Sequence, residues 1–121
     1  MSQPLRVLDK TARLLCEALR RSKSAWTLQD VWQEIQANRA QLWLGENAVV
    51  VTDTALPDCL NVWLYAGDLT EMRALDTSAA AYAKTLGLSK MTVIDGRKGW
   101  ARVLAPLGYK KHGSNMLVKE I

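Results

Sequence analysis

The sequence predicts an α/β (α+β) fold, a mixed and mostly antiparallel sheet with helices on both faces. Three observations carry that expectation. Residues 1–38 place apolar side chains every three or four positions, as two amphipathic helices do. Residues 39–66 switch to a period of two and then to a nearly continuous apolar run, as a hairpin followed by a central strand does. Residues 67–121 alternate helical and strand-like segments punctuated by glycine. No repeat, low-complexity tract or linker interrupts this order, so residues 1–121 are expected to form one domain.

The first helix follows from Leu5, Leu8, Ala12, Leu15 and Leu19, which share one face, and Arg20, Arg21 and Lys23 suit its C-terminal dipole. A second helix opens at Thr27, with Asp30 three residues on as the acid of a capping box. Its inner face is Leu28, Val31, Trp32 and Ile35, and Asn38 ends it. Gln41–Leu44 and Ala48–Thr52 form a hairpin through Gly45, Glu46 and Asn47. Pro57 and Asp58 mark a loop before the apolar strand Cys59–Ala66.

A long helix spans about 69–86, with Met72, Leu75, Ala79, Ala83 and Leu86 inward. Gly87 stops it, and Asp68 with Glu71 forms a second capping box at its start. Lys90–Asp95 is a further strand. Gly96 to Gly99 turn into a short helix carrying Trp100, Val103, Leu104 and Leu107, with Gly108 as its stop. Tyr109–His112 and Met116–Ile121 close the fold as strands joined through Gly113, Ser114 and Asn115.

Composition narrows the function classes. With 121 residues, 49% hydrophobic and a net charge of +4, the chain can bury a core and is not disordered. No apolar run approaches the roughly 20 residues of a membrane span, and Pro4 and Arg6 stand where an export signal needs apolar residues. A non-secreted, cytoplasmic protein without a membrane partner is expected. Cys16 and Cys59 lack metal-ligand spacing with each other or with His112, so two reduced thiols and no metal are expected. The net charge conceals segregation: residues 1–40 carry +3, residues 41–83 carry −5 and residues 84–121 carry +6. The acidic and basic blocks either pair within the fold or present a basic face to an anionic partner.

The run Ala83-Lys84-Thr85-Leu86-Gly87, followed by the strand at Met91–Val93, resembles the C-terminal half of the GNAT acyltransferase superfamily, whose cofactor-binding helix commonly ends Ala-Lys-x-x-Gly. Gly108-Tyr109 matches the Gly-Phe or Gly-Tyr that ends the family's next helix. Gly96-Arg97-Lys98-Gly99-Trp100, with Trp43 near the first hairpin, further resembles small GNAT-like proteins encoded by tailed bacteriophages. The resemblance spans roughly residues 26–120 and implies a GNAT-like sheet whose N-terminal strand is missing, because the opening helix begins by about Leu5.

Family chemistry transfers poorly, residue by residue. GNAT enzymes hold the acyl-CoA pyrophosphate in a Gln/Arg-x-x-Gly-x-Gly/Ala loop at the start of the long helix, where free N–H groups and the dipole favour an anion. This chain reads Ala66-Gly67-Asp68-Leu69-Thr70-Glu71, with one glycine and two carboxylates. Gly67, Leu69 and Thr70 are the cofactor-binding residues if acyl-CoA binds. The family's tyrosine acid, four residues before the Gly-Tyr glycine, falls on Leu104, and its common asparagine falls on Arg97. Glu46 and Asp95 are candidate bases by order alone, so no catalytic residue is assigned.

These departures favour a domain that has lost transfer chemistry, needs no cofactor, and works through contacts. It would serve as a virion or virion-assembly protein, in the host cytoplasm or the particle, with other virion proteins or itself as partner. The contact residues would be Gly96, Arg97, Lys98, Gly99 and Trp100, with the opening helix as a further docking face. The alternative is an acetyl-CoA-dependent N-acetyltransferase with a minimal loop at Gly67–Thr70. A third reading, nucleic-acid binding through Lys110, Lys111, His112, Arg97, Lys98 and Arg102, lacks interleaved aromatics. A DNA-reading role for residues 27–38 lacks cations on the helix, and a Cys59–His112 nucleophile pair would place the thiol beside an apolar strand.

Overall fold

The structure is a computed structural model that describes residues 3–21, 26–94, 100–113 and 116–121. Helix α1 (Gln3–Arg21) uses its leucine spacing to bury Leu15, Ala18 and Leu19 against the sheet. Helix α2 (Leu28–Gln36) begins as its sequence requires. The Thr27 hydroxyl accepts from the Asp30 amide at 3.1 Å, and the Asp30 carboxylate accepts from the Thr27 amide at 2.8 Å. Asn38 adopts φ +60° just beyond the helix end, the left-handed turn that asparagine tolerates.

Six strands follow the expected order. They are β1 (Ala40–Leu44), β2 (Ala48–Asp53), β3 (Cys59–Gly67), β4 (Lys90–Ile94), β5 (Lys110–Lys111) and β6 (Met116–Glu120). They form one sheet in the order β1-β2-β3-β4-β6-β5, antiparallel throughout except for the parallel pair β3–β4. Helix α3 (Leu69–Thr85) connects that parallel pair, and α4 (Trp100–Leu104) precedes a short 3-10 turn at Ala105–Leu107. Helices α1 and α2 cover one face over Val49, Val51 and Leu64. Helix α3 covers the other over Val50, Leu60, Val62, Met91 and Val93. The mixed, mostly antiparallel sheet with helices on both faces is therefore present.

Three local expectations are corrected. Leu86 is exposed rather than inward, because the helix has already ended at Thr85 and Leu86 is its cap. The fully buried stripe of α3 is Met72, Asp76, Ala79 and Ala83, with Leu75 half-buried against the same core, so a carboxylate that an apolar reading passed over lies in the core beside it. The second capping box is half formed. Asp68 accepts from the Glu71 amide at 3.0 Å, but the Glu71 carboxylate reaches out to the β1–β2 turn, where it accepts from the amides of Glu46 (2.6 Å) and Asn47 (2.9 Å).

Candidate active site

Among the described residues the parallel pair is laddered from one end only as far as Val62↔Val93. Rungs run from Cys59↔Lys90 to Val62↔Val93 and stop there, while β3 continues five residues further, from Trp63 to Gly67. At the zipped end Asp58, in the left-handed region at φ +59°, accepts from the Ser89 amide at 3.1 Å and also bonds the Ser89 hydroxyl. At the other end a β-bulge starts the divergence. Val51 pairs with Leu64 and Thr52 with Val62, so Trp63 is skipped and has no rung on either neighbour. A bulge adds twist and bends the strand that carries it, so the next residues in line, Trp63 and Ile94, do not pair and a fork begins between them. The extra residue also changes facing. Leu60 and Val62 point to the α3 side, whereas Trp63 and Leu64 pack on the α1–α2 side.

The open limb of β3 leads to the start of α3. Gly67 adopts φ +105° and lies against the β1–β2 turn, where an added Cβ would stand 2.1 Å from the Asn47 carbonyl oxygen. The next amide, of Asp68, donates to that same oxygen at 2.9 Å. Gly67, Asp68, Leu69 and Thr70 are all exposed. The Asp68 side chain takes the third amide of the helix, and the Leu69 and Thr70 amides precede the first position that has an intrahelical acceptor. With Glu71 turned onto the hairpin, one of the two carboxylates expected to crowd this end is committed elsewhere.

On the α1–α2 face a groove of about 660 Å³ reaches the fork. Trp63 and Ile94, the residues immediately past the last β3–β4 rung, both line it, together with Trp26, Glu34, Asp53 and Asn61. Trp26 and Trp63 meet edge to face with ring centroids 5.5 Å apart. Beneath them lies a polar row on one register line of the sheet, Asp53↔Asn61↔Thr92. The Thr92 hydroxyl donates to the Asn61 side-chain carbonyl at 2.9 Å, and the Asn61 amide donates to Asp53 at 3.3 Å.

On the opposite face, Asp76 is fully buried and collects three donors. The hydroxyls of Tyr65 and Tyr109 donate to its Oδ1 at 2.8 and 2.7 Å, and the Lys119 ammonium donates to its Oδ2 at 2.6 Å. Lys119 also stacks over the Tyr109 ring, 4.8 Å from its centroid. Tyr65 belongs to the open limb of β3, and Lys119 pairs with Met91 of β4 through β6. Asp76 therefore ties the free part of β3 to the laddered part of the sheet beside β4.

Burial pushes both phenols well above pH 10, and the adjacent Asp76 carboxylate adds to the effect in each. The folded chain thus holds two protons that an unfolded chain releases near pH 10. The resulting stabilisation is complete below that pH and lost as pH rises beyond it. Stability measured by urea unfolding is expected to be flat in this respect up to about pH 9, then to fall by up to about 2.7 kcal/mol per pH unit. Phenolate absorbance of Tyr65 and Tyr109 should appear together with unfolding. Two tyrosines that ionise while the far-ultraviolet spectrum stays native would refute this.

Several residues singled out in the sequence do not meet. Cys59 lies at the Lys90–Glu120 level of the sheet, and the His112 amide bonds to Met116 at the other end of β6, so they form no nucleophile pair. Leu104 is buried in the α3-side core and supplies no acid. Glu46 sits at the exposed hairpin turn. Asp95, Gly96, Arg97, Lys98 and Gly99 lie outside the described residues, as does the side chain of Trp100. The sequence reading missed Trp26, Asp53, Asn61 and Trp63 as site residues. A polar pair on adjacent register positions, Asp53 and Asn61, was the available signal, but register is not visible before the strands are paired.

No family model and no curated protein matches the chain. Solved structures do. Aminoglycoside 6'-acetyltransferase type Ii is similar with a TM-score of 0.73 at 10% identity, over 94% of this chain and 89% of that one. The PaiA N-acetyltransferase of Thermoplasma acidophilum, in complex with coenzyme A, is similar with a TM-score of 0.67 at 12% identity, over 95% and 94%. An acetyltransferase of Bacillus subtilis, also with coenzyme A, gives 0.65 at 14% identity, over 93% and 92%. The fold is that of the GNAT acetyltransferases. The expectation of a structural virion component that has lost its chemistry and needs no cofactor is corrected by these findings. The similar structures are acetyltransferases matched over nearly their whole length, two of them holding coenzyme A. Among the described residues the strand pair, which would exclude a cofactor if it were closed, has no rung past Val62↔Val93.

Proposed function

We propose that this GNAT-fold chain is an acyl-CoA-dependent N-acetyltransferase with a minimal cofactor loop. The single observation that carries the reading is the start of a fork, where the β3–β4 ladder ends at Val62↔Val93 beside a bulge at Trp63 although both strands run on. An opened parallel pair leaves every second backbone amide of the free limb without a strand neighbour, a row of donors suited to the amides and carbonyls of a pantetheine chain. At the end of that limb Gly67 packs against the β1–β2 turn, and the Leu69 and Thr70 amides would meet a pyrophosphate with the dipole of α3 behind them. The residues present therefore fit acetyl-CoA, though with fewer glycines than the family's loop. The finer resemblance to phage-encoded members rests on sequence, on Trp43 and the segment Gly96–Trp100.

Bound there, acetyl-CoA would supply an activated acetyl group for an acceptor amine, with free CoA thiol as the second product. The chain's own residues act around that exchange. Trp63 and Ile94 give the crotch of the fork apolar walls, and the bulge backbone sets the edge on which a carbonyl oxygen would rest. Leu104, buried in the core, has no proton to give the sulfur. Positioning in the fork is then the main contribution to rate.

Calorimetric titration with acetyl-CoA is expected to show micromolar binding, with thiol release once an amine is added. Absence of heat at millimolar acetyl-CoA would defeat the proposal.

A further inference from the structure

We infer that the free edge of β1 pairs with the same edge of a second copy of this chain, joining two sheets across a two-fold axis at Trp43. The inference is independent of the transferase reading. Strand β1 has β2 on one side and, among the described residues, no strand on the other. The hairpin decides which backbone groups face outward. The Gly45 amide donates to the Ala48 carbonyl at 2.9 Å, so Gly45 turns toward β2. Antiparallel pairing alternates, so Gln41 and Trp43 do the same, and Ala40, Leu42 and Leu44 turn to the free edge. Ala40 is only 5% exposed and closed off, whereas Leu44 is 44% exposed and Leu42 is half-buried. The open half of the edge is therefore Leu42 to Leu44.

The two edges of the sheet are built differently. Strand β5, at the far edge, is two exposed lysines long, a guard against edge-to-edge association. Strand β1 reads Ala-Gln-Leu-Trp-Leu, with neither a charge nor a proline to guard it. The helix packed over it, α2, exposes Gln29, Gln33 and Gln36, none of which repels an identical copy.

A second copy suits this edge because the edge is complementary to itself. A two-fold axis perpendicular to the sheet keeps the strands antiparallel and each face beside its like. Centred on Leu42, it would set Leu44 against the closed Ala40. Centred on Trp43, it sets Leu42 and Leu44 of one copy against Leu44 and Leu42 of the other. Each then exchanges its amide and carbonyl with its opposite, and the open half keeps no unpaired group. Side chains agree. Leu42 lies on the α1–α2 face, and Leu44 follows it there beside Leu14, so apolar pairs flank the axis. On the α3 face Trp43, edge to face with Tyr82 at 5.6 Å, meets its own copy in a closely spaced pair. Exposed Arg39 comes level with Asn47 of the other copy, next to Glu46, so a cation stands near an acid at each end.

Sedimentation equilibrium and residue-resolved hydrogen exchange on the full chain test this. So short an edge makes a small interface of the transient class, and a monomer–dimer Kd of about 10–100 μM is expected. Raising the protein from far below to about tenfold above that Kd should slow exchange at the Leu42 and Leu44 amides several-fold, and leave Gln41 and Trp43 unchanged. Leu44→Pro removes an outward amide without touching the β1–β2 ladder, and should raise Kd at least about tenfold. Leu86→Lys replaces a comparably exposed leucine past the end of α3 and should leave Kd unchanged. Circular dichroism checks that each variant is folded, and the exchange pattern of the unmutated chain decides the matter if Leu44→Pro is not. A chain that stays monomeric at about 1 mM overturns the inference. So does a Kd unmoved in folded Leu44→Pro, or concentration-dependent protection that spares Leu42 and Leu44.

Discussion

Asp76→Ala is expected to remove about 3–5 kcal/mol of stability, a large share of what a chain of this size possesses. The reason is what remains behind. Lys119, only 13% exposed at its side chain, would keep an ammonium with no counterion, and two buried phenols would lose their acceptor. Urea unfolding should show the loss as a lower midpoint with little change in slope. Two companions isolate the cause. Asp76→Asn keeps an oxygen for both tyrosines but not the charge, so it should fall between. Asp76→Leu combined with Lys119→Met removes both charges together and should recover most of the stability, short by about 1 kcal/mol for each phenol left unpaired. If Asp76→Ala costs under about 1 kcal/mol, the ammonium is finding water and the cluster is not a tie. Because Tyr65 is on the free part of β3 and Lys119 is anchored on the laddered part of the sheet, acetyl-CoA affinity should weaken in the same order as stability.

Much of the fold was legible because local chemistry and tertiary structure agree. Thr27 and Asp30 close α2 reciprocally, Asn38 turns its end, and Gly87 and Gly108 take the positive φ their places require. What was not legible depends on pairing. The bulge at Trp63 sits in a run where Val62, Trp63, Leu64 and Tyr65 are all apolar, so the pattern carries no mark of the residue that changes face. A one-residue shift in a strand buried on both sides exchanges one hydrophobic neighbour for another, and composition is blind to it. Asp76 was hidden for the opposite reason. It falls on the helical stripe with Met72, Ala79 and Ala83, but a carboxylate reads as solvent-facing until a buried lysine forty-three positions away is seen beside it. The same pairing resolves the charge blocks: one acid of the −5 segment neutralises a cation of the +6 segment within the core.

The acidic segment also illustrates how an anion near a helix start can be misread. Asp68 and Glu71 look like internal substitutes for a pyrophosphate. Asp68 does cap the helix, but Glu71 spends its oxygens on the amides of Glu46 and Asn47 and so fixes the hairpin against α3. Its carboxylate strengthens the seat on which Gly67 rests, and the first two amides of the helix are left for a ligand.

Gly67→Ala is accordingly expected to be the variant most damaging to the cofactor seat. Two costs combine. At φ +105° any side chain is strained, and here the new Cβ would meet the Asn47 carbonyl oxygen at 2.1 Å and the Ala48 Cα at 2.6 Å, both backbone atoms that cannot rotate away. Strain and overpacking together should cost about 3 kcal/mol. Relief requires β3 to lift from the hairpin, which breaks the Asp68–Asn47 bond and turns the start of α3. Acetyl-CoA binding should then weaken by more than the stability loss alone would cause in a still-folded chain, by at least about tenfold. Gly87→Ala supplies the control. Its φ is +75°, so the conformational cost of about 1 kcal/mol is present, but nothing lies within 4 Å of the added Cβ and the site is at the far end of α3. Calorimetry on both variants, at a temperature where circular dichroism shows each folded, distinguishes the two contributions. Equal acetyl-CoA affinity in the two variants would mean that the backbone at Gly67 does not seat the pyrophosphate, and the ligand would have to enter the fork from its other limb.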